Sequence, residues 1–334
     1  MTGIYSDVAE TQPLRDKGPP LAEASTADVL RLLGGGAAGA ILMALGEGPL
    51  RTKGLTEQVP GYAPRTIYRY AGKLAELELI EREEAPGVPS KVVHSLADPQ
   101  GTELYELLRR FAHTSLLSLP DGRIDAHAWA SLGLLADLWE VGMIEGLSCE
   151  PQSPTDLARG PHQLSYHQIN RRAALFKASG LLDESQGVGR RRLYALTEKT
   201  RRKMGLIACI ARWRHDYVAA EEVMASAEMA TLLRVTLPLV KVPDHSGKCL
   251  CLNVLAEDSR RSETVWARVE EDGTVHPRAD ANSSPEGGAK AKVPMWLSAI
   301  LDGDFRKVLV SDEEGLVGDC LSGLHQALCT PTAY

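Results

Sequence analysis

From Thr26 onward, apolar residues recur at helical spacing. Ala27, Leu30, Ile41, Met43 and Leu45 lie in an apolar stretch that stops at "GEGP", Gly46 to Pro49. The segment "LRTKGLTEQVPG" predicts a short helix and then a turn at Pro60-Gly61. Pro64 suits the first turn of the next helix, where its missing N–H leaves nothing unpaired. Ile67, Ala71 and Leu74 follow at i, i+4 and i+7, which makes one buried stripe. "ELIEREEAPGVPSKVVHSLAD" then reads as strand, Pro/Gly-rich tip and strand, with a further helix from about Asp98 to Thr114.

The same order returns. "APRTIYRYAGKLAELELIE" (63–81) slides onto "SYHQINRRAALFKASGLLD" (165–183) by 102 positions without a gap. Ile67 then falls on Ile169, Arg69 on Arg171, Ala71 on Ala173, Leu74 on Phe176 and Leu79 on Leu181. In this second copy the pattern predicts a helix from Trp129 to Gly142 and a shorter one around Thr155 to Arg159. A third follows, N-capped by Ser165. "LLDESQGVGRRRLYALT" is strand, Gly-rich tip and strand, and a long helical region extends from Glu198 to about Arg234. The two hairpins align after a two-residue adjustment at the tip, which sets His94 opposite Tyr194. The rest of the chain differs in kind. "KCLCLNVLAED", "ETVWARVEEDG" and "KAKVPMWLSAILDGD" predict two strands, a Gly/Pro/Ser-rich loop (Asn282 to Gly288), a strand and a helix, and "GLVGDCLSGLHQAL" a closing helix. The expected division is an extended tail over 1–25, two repeats over 26–117 and 118–237, and an α+β domain over 238–334.

Composition sharpens this picture in three ways. At 334 residues with 44% hydrophobic and 24% charged positions, the chain is long enough for two or three folded domains. No apolar run reaches the roughly 18 residues of a membrane span, and the first twenty residues do not read as a signal peptide. A cytoplasmic protein with no membrane partner is expected. The six scattered cysteines read as reduced thiols rather than a disulfide framework. The net charge of −7 is unevenly spread: Pro151 to Met204 carries eleven Lys/Arg against four Asp/Glu, and Pro238 to Tyr334 ten against fifteen. A basic block inside an acidic chain fits a polyanionic partner.

Helix, turn, helix and a two-stranded hairpin, with basic residues off the buried stripe, suits the DNA major groove. Arg65, Thr66 and Arg69 lie off the stripe in the first copy, with Arg51 and Lys53 before them and Lys91 in the hairpin. In the second copy the corresponding set is Ser165, His167, Gln168, Asn170, Arg171 and Arg172, and the tip "GVGRRR" adds Arg190, Arg191 and Arg192. Their side chains donate to bases or hold phosphates. Three other motifs read as structure. "GGGAAG" (34–39) fits a G-x-G-x-x-G dinucleotide fingerprint letter for letter, but helix rather than strand precedes it, so a flexible helix segment is expected. The nine histidines show no metal-ligand spacing. The cysteines carry no C-x-x-C motif.

The first copy resembles the HxlR branch of the MarR-like winged-helix regulators. The residues that carry the likeness are Ile41-Leu42, Gly48-Pro49, Arg51, Leu55, Ile67, Leu74, Leu77, Leu79-Ile80 and Arg82. Thr52 stands where that family has Phe, and Glu78 where it has Gly. The second copy keeps only the general skeleton. The resemblance implies bacterial transcription regulation, with winged helix-turn-helix domains that bind double-stranded DNA, usually as dimers. It implies no enzyme activity and no cofactor. Residues 273–328 resemble the sterol-carrier-like domain appended to some such regulators, which implies a fold able to enclose an apolar small-molecule effector. The fold class expected is mainly α with small β wings, in two winged helix-turn-helix domains, plus a C-terminal α+β domain. Two copies in one chain fit either a monomeric pseudo-dimer or a homodimer. The rival readings are a protein-interaction adaptor and a methyltransferase-type enzyme with a dimerising winged helix.

Overall fold

The computed structural model describes residues 24–35, 37–85, 91–113, 126–160, 164–218, 223–257, 261–279, 284–312 and 315–329. The expected tail, the tip of the first hairpin, the boundary at 117/118 and the start of the 282–288 loop lie outside these residues. The chain forms two compact units. One runs to Ala136 and takes in the segment from Trp213 to Ala220, and the other holds Asp137 to Arg212 and the chain from Glu221. Residues 137–212 and 221–237 of the expected second repeat group with the α+β domain, while 126–136 and 213–218 group with the first unit.

The first unit opens with α1 (Thr26–Gly34) and α2 (Ala38–Gly46). Ser25 caps α1 reciprocally: its hydroxyl accepts from the Asp28 N–H at 3.1 Å, and the Asp28 carboxylate accepts from the Ser25 N–H at 3.0 Å. Next come β1 (Leu50–Arg51), α3 (Thr52–Gln58) and α4 (Pro64–Glu76), followed by β2 (Ile80–Ala85), β3 (Lys91–Leu96), α5 (Gln100–His113) and α6 (Ala126–Glu140). Pro64 occupies the first turn of α4 as its chemistry predicts. The three strands form one antiparallel sheet in the order β1-β3-β2. Ile67, Ala71 and Leu74 are buried, together with Tyr70.

The glycines of "GGGAAG" serve close packing. A Cβ on Gly34 would lie 2.1 Å from the backbone N of Gly133, and one on Gly39 would lie 2.4 Å from the indole of Trp129. Both contacts are with α6, where Trp129 is buried. Gly34 ends α1 and Gly39 lies in the first turn of α2, with no described strand before them.

The second unit holds α7 (Met143–Gly146), α8 (Pro154–Arg159), α9 (Tyr166–Ala178), β4 (Leu182–Gln186), β5 (Arg192–Leu196) and α10 (Glu198–Val218), the last reaching into the first unit. The long helical region expected to Arg234 breaks, and α11 (Ser226–Thr236) starts afresh. Some backbone detail recurs near the 102-residue offset. The Leu79 N–H bonds to the Leu74 carbonyl at 2.9 Å, and Leu181 N–H to Phe176 carbonyl at 2.8 Å. Leu50 pairs with His94 in one sheet, and Gln152 bridges Tyr194 in the other. Leu50 and Gln152 are again 102 positions apart, but Leu50 belongs to a two-residue strand, whereas Gln152 makes an isolated bridge.

The turn after each long helix needs a left-handed residue. The second copy supplies Gly180 at φ 70°, whereas the first holds Glu78 at φ 56°. A side chain in that conformation costs about 1–2 kcal/mol, part of which glycine returns through its freer unfolded chain. Glu78→Gly is therefore expected to stabilise the first unit by about 0.5–1 kcal/mol, read as a higher urea midpoint at unchanged slope.

The α+β part consists of β6 (Cys249–Leu255), β7 (Ser262–Val269), β8 (Val275–Arg278), β9 (Gly287–Lys292), α12 (Val293–Asp302), β10 (Leu309–Asp312) and α13 (Leu316–Cys329). The sheet order is β10-β9-β6-β7-β8, parallel only between β6 and β9. β8 and β10, four residues each, were not expected from the sequence. Leu250, Leu252 and Val254 share a buried face with Val265, Ala267, Ala289 and Ala291, and α11, α12 and α13 pack against this sheet. α10 joins this part to the second repeat: Arg201 donates to the Val235 carbonyl at 2.8 Å and Arg212 to Asp302 at 2.6 Å.

Lys203 on α10 is only 2% exposed, and burial pushes its ammonium down to about 7, with Lys199 adding to the effect. A lysine whose folded pKa is depressed is charged at a disadvantage below that pKa and neutral in both states above the unfolded one. Stability from this group therefore rises with pH between about 7 and 10. Lys203→Met is expected to gain stability relative to the parent at pH 6, and the gain should shrink by pH 10. Thermal melts of both proteins across this range test the point.

Candidate nucleic-acid interface

In the first copy, α3 and α4 meet across the Pro60-Gly61 turn, and α4 turns Arg65 and Arg69 to solvent. Tyr68 beside them is 49% exposed, while Thr66 is half-buried. Beneath them the Tyr70 hydroxyl donates to the Gly35 carbonyl at 2.6 Å, which ties α4 to the end of α1. Burial raises the Tyr70 pKa, and Arg69, whose guanidinium lies 5.2 Å from the ring centroid, opposes the shift. Arg51 is exposed just before α3. Lys53 lies 3.7 Å from Glu57 one turn on, a surface pair worth little. Lys91 begins β3, opposite Ala85.

A buried link that sequence reasoning missed holds the wing against α3. His94 on β3 is 2% exposed, with Nε2 3.2 Å from the Thr52 hydroxyl, which also donates to the Val92 carbonyl at 3.4 Å. Burial lowers the His94 pKa, and Arg82 on the neighbouring strand lowers it further. Nothing but the pairing of Thr52 and His94, 42 residues apart, would have signalled it.

In the second copy, two capping boxes set the helices. Ser153 and Asp156 cap α8, and Ser165 and Gln168 cap α9. The Ser165 hydroxyl accepts from the Gln168 N–H at 3.2 Å, and the Gln168 carbonyl oxygen accepts from the Ser165 N–H at 3.0 Å. Asn170 donates back to the Tyr166 carbonyl at 3.1 Å. His167 and Arg171 are exposed, and Arg172 is half-buried.

The hairpin tip splits the three arginines. Arg191 holds both carboxylate oxygens of Asp156, at 2.8 and 2.9 Å, and so pins the wing to α8. Hydrogen bonds from Ser153, with Arg191 assisting, keep the Asp156 carboxyl below the usual carboxylate range. Arg190 stands at the tip with φ 61°, beside the fully exposed Val188, and Arg192 is exposed on β5. Among the described residues, Arg51, Arg65, Arg171, Arg172, Arg190 and Arg192 make no ion pair, and no cluster of His, Cys, Asp and Glu could hold a metal ion. No single described helix is long and apolar enough to cross a membrane.

The family model described as HxlR-like helix-turn-helix matches residues 32–115, from within α1 past the end of α5. Residues 32–115 are an HxlR-like winged helix-turn-helix domain. The likeness read from its sequence motif is thereby supported, and with it transcription regulation as the domain's class of work. Two solved structures are similar to part of the chain. One is the reduced form of the transcriptional regulator YodB from B. subtilis, at 30% identity over 25% of this chain and 80% of that one, with a TM-score of 0.23. The other is the diamide-treated YodB from B. subtilis, at 29% identity over 28% and 91%, with a TM-score of 0.24. No curated protein matches the chain. Within the HxlR-like domain the structure gathers Arg65 and Arg69 on one exposed face of α4. In the second copy it brings Arg171 and His167 to the corresponding face of α9, while Ser165, Gln168 and Asn170 spend polar groups on the helix itself.

Proposed function

We propose that the chain is a transcription regulator that grips double-stranded DNA with two winged helix-turn-helix devices, so that one chain does what two chains of an HxlR-like dimer do. The observation that carries this reading is recurrence at backbone level: the same turn-closing bond and the same left-handed position, each 102 residues on, and a bridge to the hairpin from Gln152, 102 residues after Leu50. α4 with Arg65 and Arg69, and α9 with His167 and Arg171, supply the base-facing side chains. Arg190 and Arg192 supply phosphate contacts. The α+β part, acidic overall, takes no DNA and is the candidate seat of an apolar effector or of a protein partner.

Because the two reading helices differ, the two half-sites need not be palindromic. Their centres should lie about one helical turn, roughly 10 base pairs, apart. Light scattering of the complex at low protein concentration should give one chain per site. Two chains on the minimal site would show an ordinary homodimer, and affinity that does not fall as salt rises would favour the protein-adaptor reading.

A further inference from the structure

α4 leaves an aromatic ring open to solvent on its outer face. Tyr68 is 49% exposed, and among the described residues it is the one large apolar side chain of residues 32–115 left so open. The side chains on either side are committed to the protein: Ile67 and Tyr70 are buried, and Arg69 rests its guanidinium 5.2 Å from the Tyr70 ring. Arg65, one turn back, is exposed and makes no ion pair among the described residues. Arg65 and Tyr68 stand at i and i+3, and so on one face of the helix. Tyrosine is a middling helix former, so an exposed ring inside α4 brings the folded chain neither propensity nor much burial. The matching position of the second copy differs. Asn170, 102 residues on, is half-buried and turns its amide back to the Tyr166 carbonyl at 3.1 Å.

We propose, resting on the DNA-binding reading above, that Tyr68 reads the C5-methyl group of a thymine in the major groove, beside a guanine held by Arg65. The chemistry of each head group fits. A guanidinium offers paired N–H donors to guanine N7 and O6, and an aromatic ring offers apolar surface to the methyl, the one apolar group that a base pair shows in that groove. Three helical residues span about 4.5 Å of axis, close to the step of roughly 3.4 Å between base pairs, so the two bases are neighbours or one pair apart. α9 has no ring at the matching position, and its exposed Tyr166 falls on Pro64 of α4 instead. The thymine is therefore required at that place in one half-site only, and the full site has a direction.

The full chain is used to select duplexes from a library with a random core, and the recovered duplex is the probe. Fluorescence anisotropy compares it with copies in which one thymine at a time becomes deoxyuridine, which removes the methyl and keeps every hydrogen bond. One such change beside the guanine should weaken the parent about fourfold, the worth of one buried methyl group. Tyr68→Ala should weaken binding at least as much and ignore that same deoxyuridine. Tyr68→Phe should bind and respond as the parent does. Both variants should keep the parent's circular dichroism, since neither residue is a worse helix former to any large degree. A parent with no affinity for any duplex overturns the DNA-binding reading and the role of Tyr68 together. A parent that binds but ignores every deoxyuridine overturns the role of Tyr68 alone. So does a Tyr68→Ala chain that still responds to deoxyuridine as the parent does, or a Tyr68→Phe chain that behaves like Tyr68→Ala.

Discussion

Gly34→Ala is expected to destabilise the first unit by about 3 kcal/mol. The added methyl would lie 2.1 Å from the Gly133 backbone N and 2.7 Å from the Trp129 carbonyl oxygen, both on α6. Backbone cannot swing aside as a side-chain tip can, so α1 and α6 would have to separate. That opens the packing around Leu30, Leu33, Leu132 and Leu135, all of them 0% exposed. Gly72→Ala in α4 is the matched control, since its Cβ would meet nothing within 4 Å. There alanine's better helix propensity should add about 0.5–1 kcal/mol. Urea denaturation of the two variants and the parent decides the matter. A Gly34→Ala loss below that of an ordinary surface change would mean the helices part freely, and the close-packing account of "GGGAAG" would fall.

The second large effect concerns DNA. Replacing Arg190 and Arg192 together with alanine should weaken binding to all sequences, and should lower the salt slope by up to about one unit for each lost phosphate contact. Arg191→Ala should behave differently, because its guanidinium is committed to Asp156. Its removal is expected to leave the salt slope near the parent's and to change stability by less than about 1 kcal/mol, as for an exposed pair. Arg65→Ala, Arg69→Ala or Arg171→Ala should cost roughly 1–3 kcal/mol on the cognate site and much less elsewhere, where the residue reads a base. Fluorescence anisotropy with a labelled duplex at several salt concentrations separates these cases. An Arg190/Arg192 double variant that binds within about twofold of the parent, at the same slope, would remove the second wing from the interface.

Removing the chain after Leu237 is a less clean experiment than the sequence division suggests. α10 buries Met204, Leu206, Ile207 and Ile210 in the unit that also holds the α+β part, and Gly205 packs against Leu328. Point substitutions are therefore the better instrument for the second copy.

Sequence pattern alone determined the elements that repeat a period over several turns. The Ile67/Ala71/Leu74 and Ile169/Ala173/Phe176 stripes, the Ser165 cap, the Pro64 start and both hairpins lie where spacing put them, because helix period, caps and turns are set by neighbours a few residues apart. The 102-residue offset was legible for the same reason, and so was the cluster of arginines. What only the tertiary structure decided involves partners far apart in the chain. Strands of two to four residues, β1, β8 and β10, are too short to show a period, and their partners alone define them. Thr52 and His94, 42 residues apart, and Arg191 and Asp156, 35 apart, meet because the wing curls back on the helices, and no local rule encodes that meeting. The packing of α10 beside α11 and the α+β helices groups most of the second expected repeat with the α+β part, since an apolar helix surface says that it must be covered but not by what.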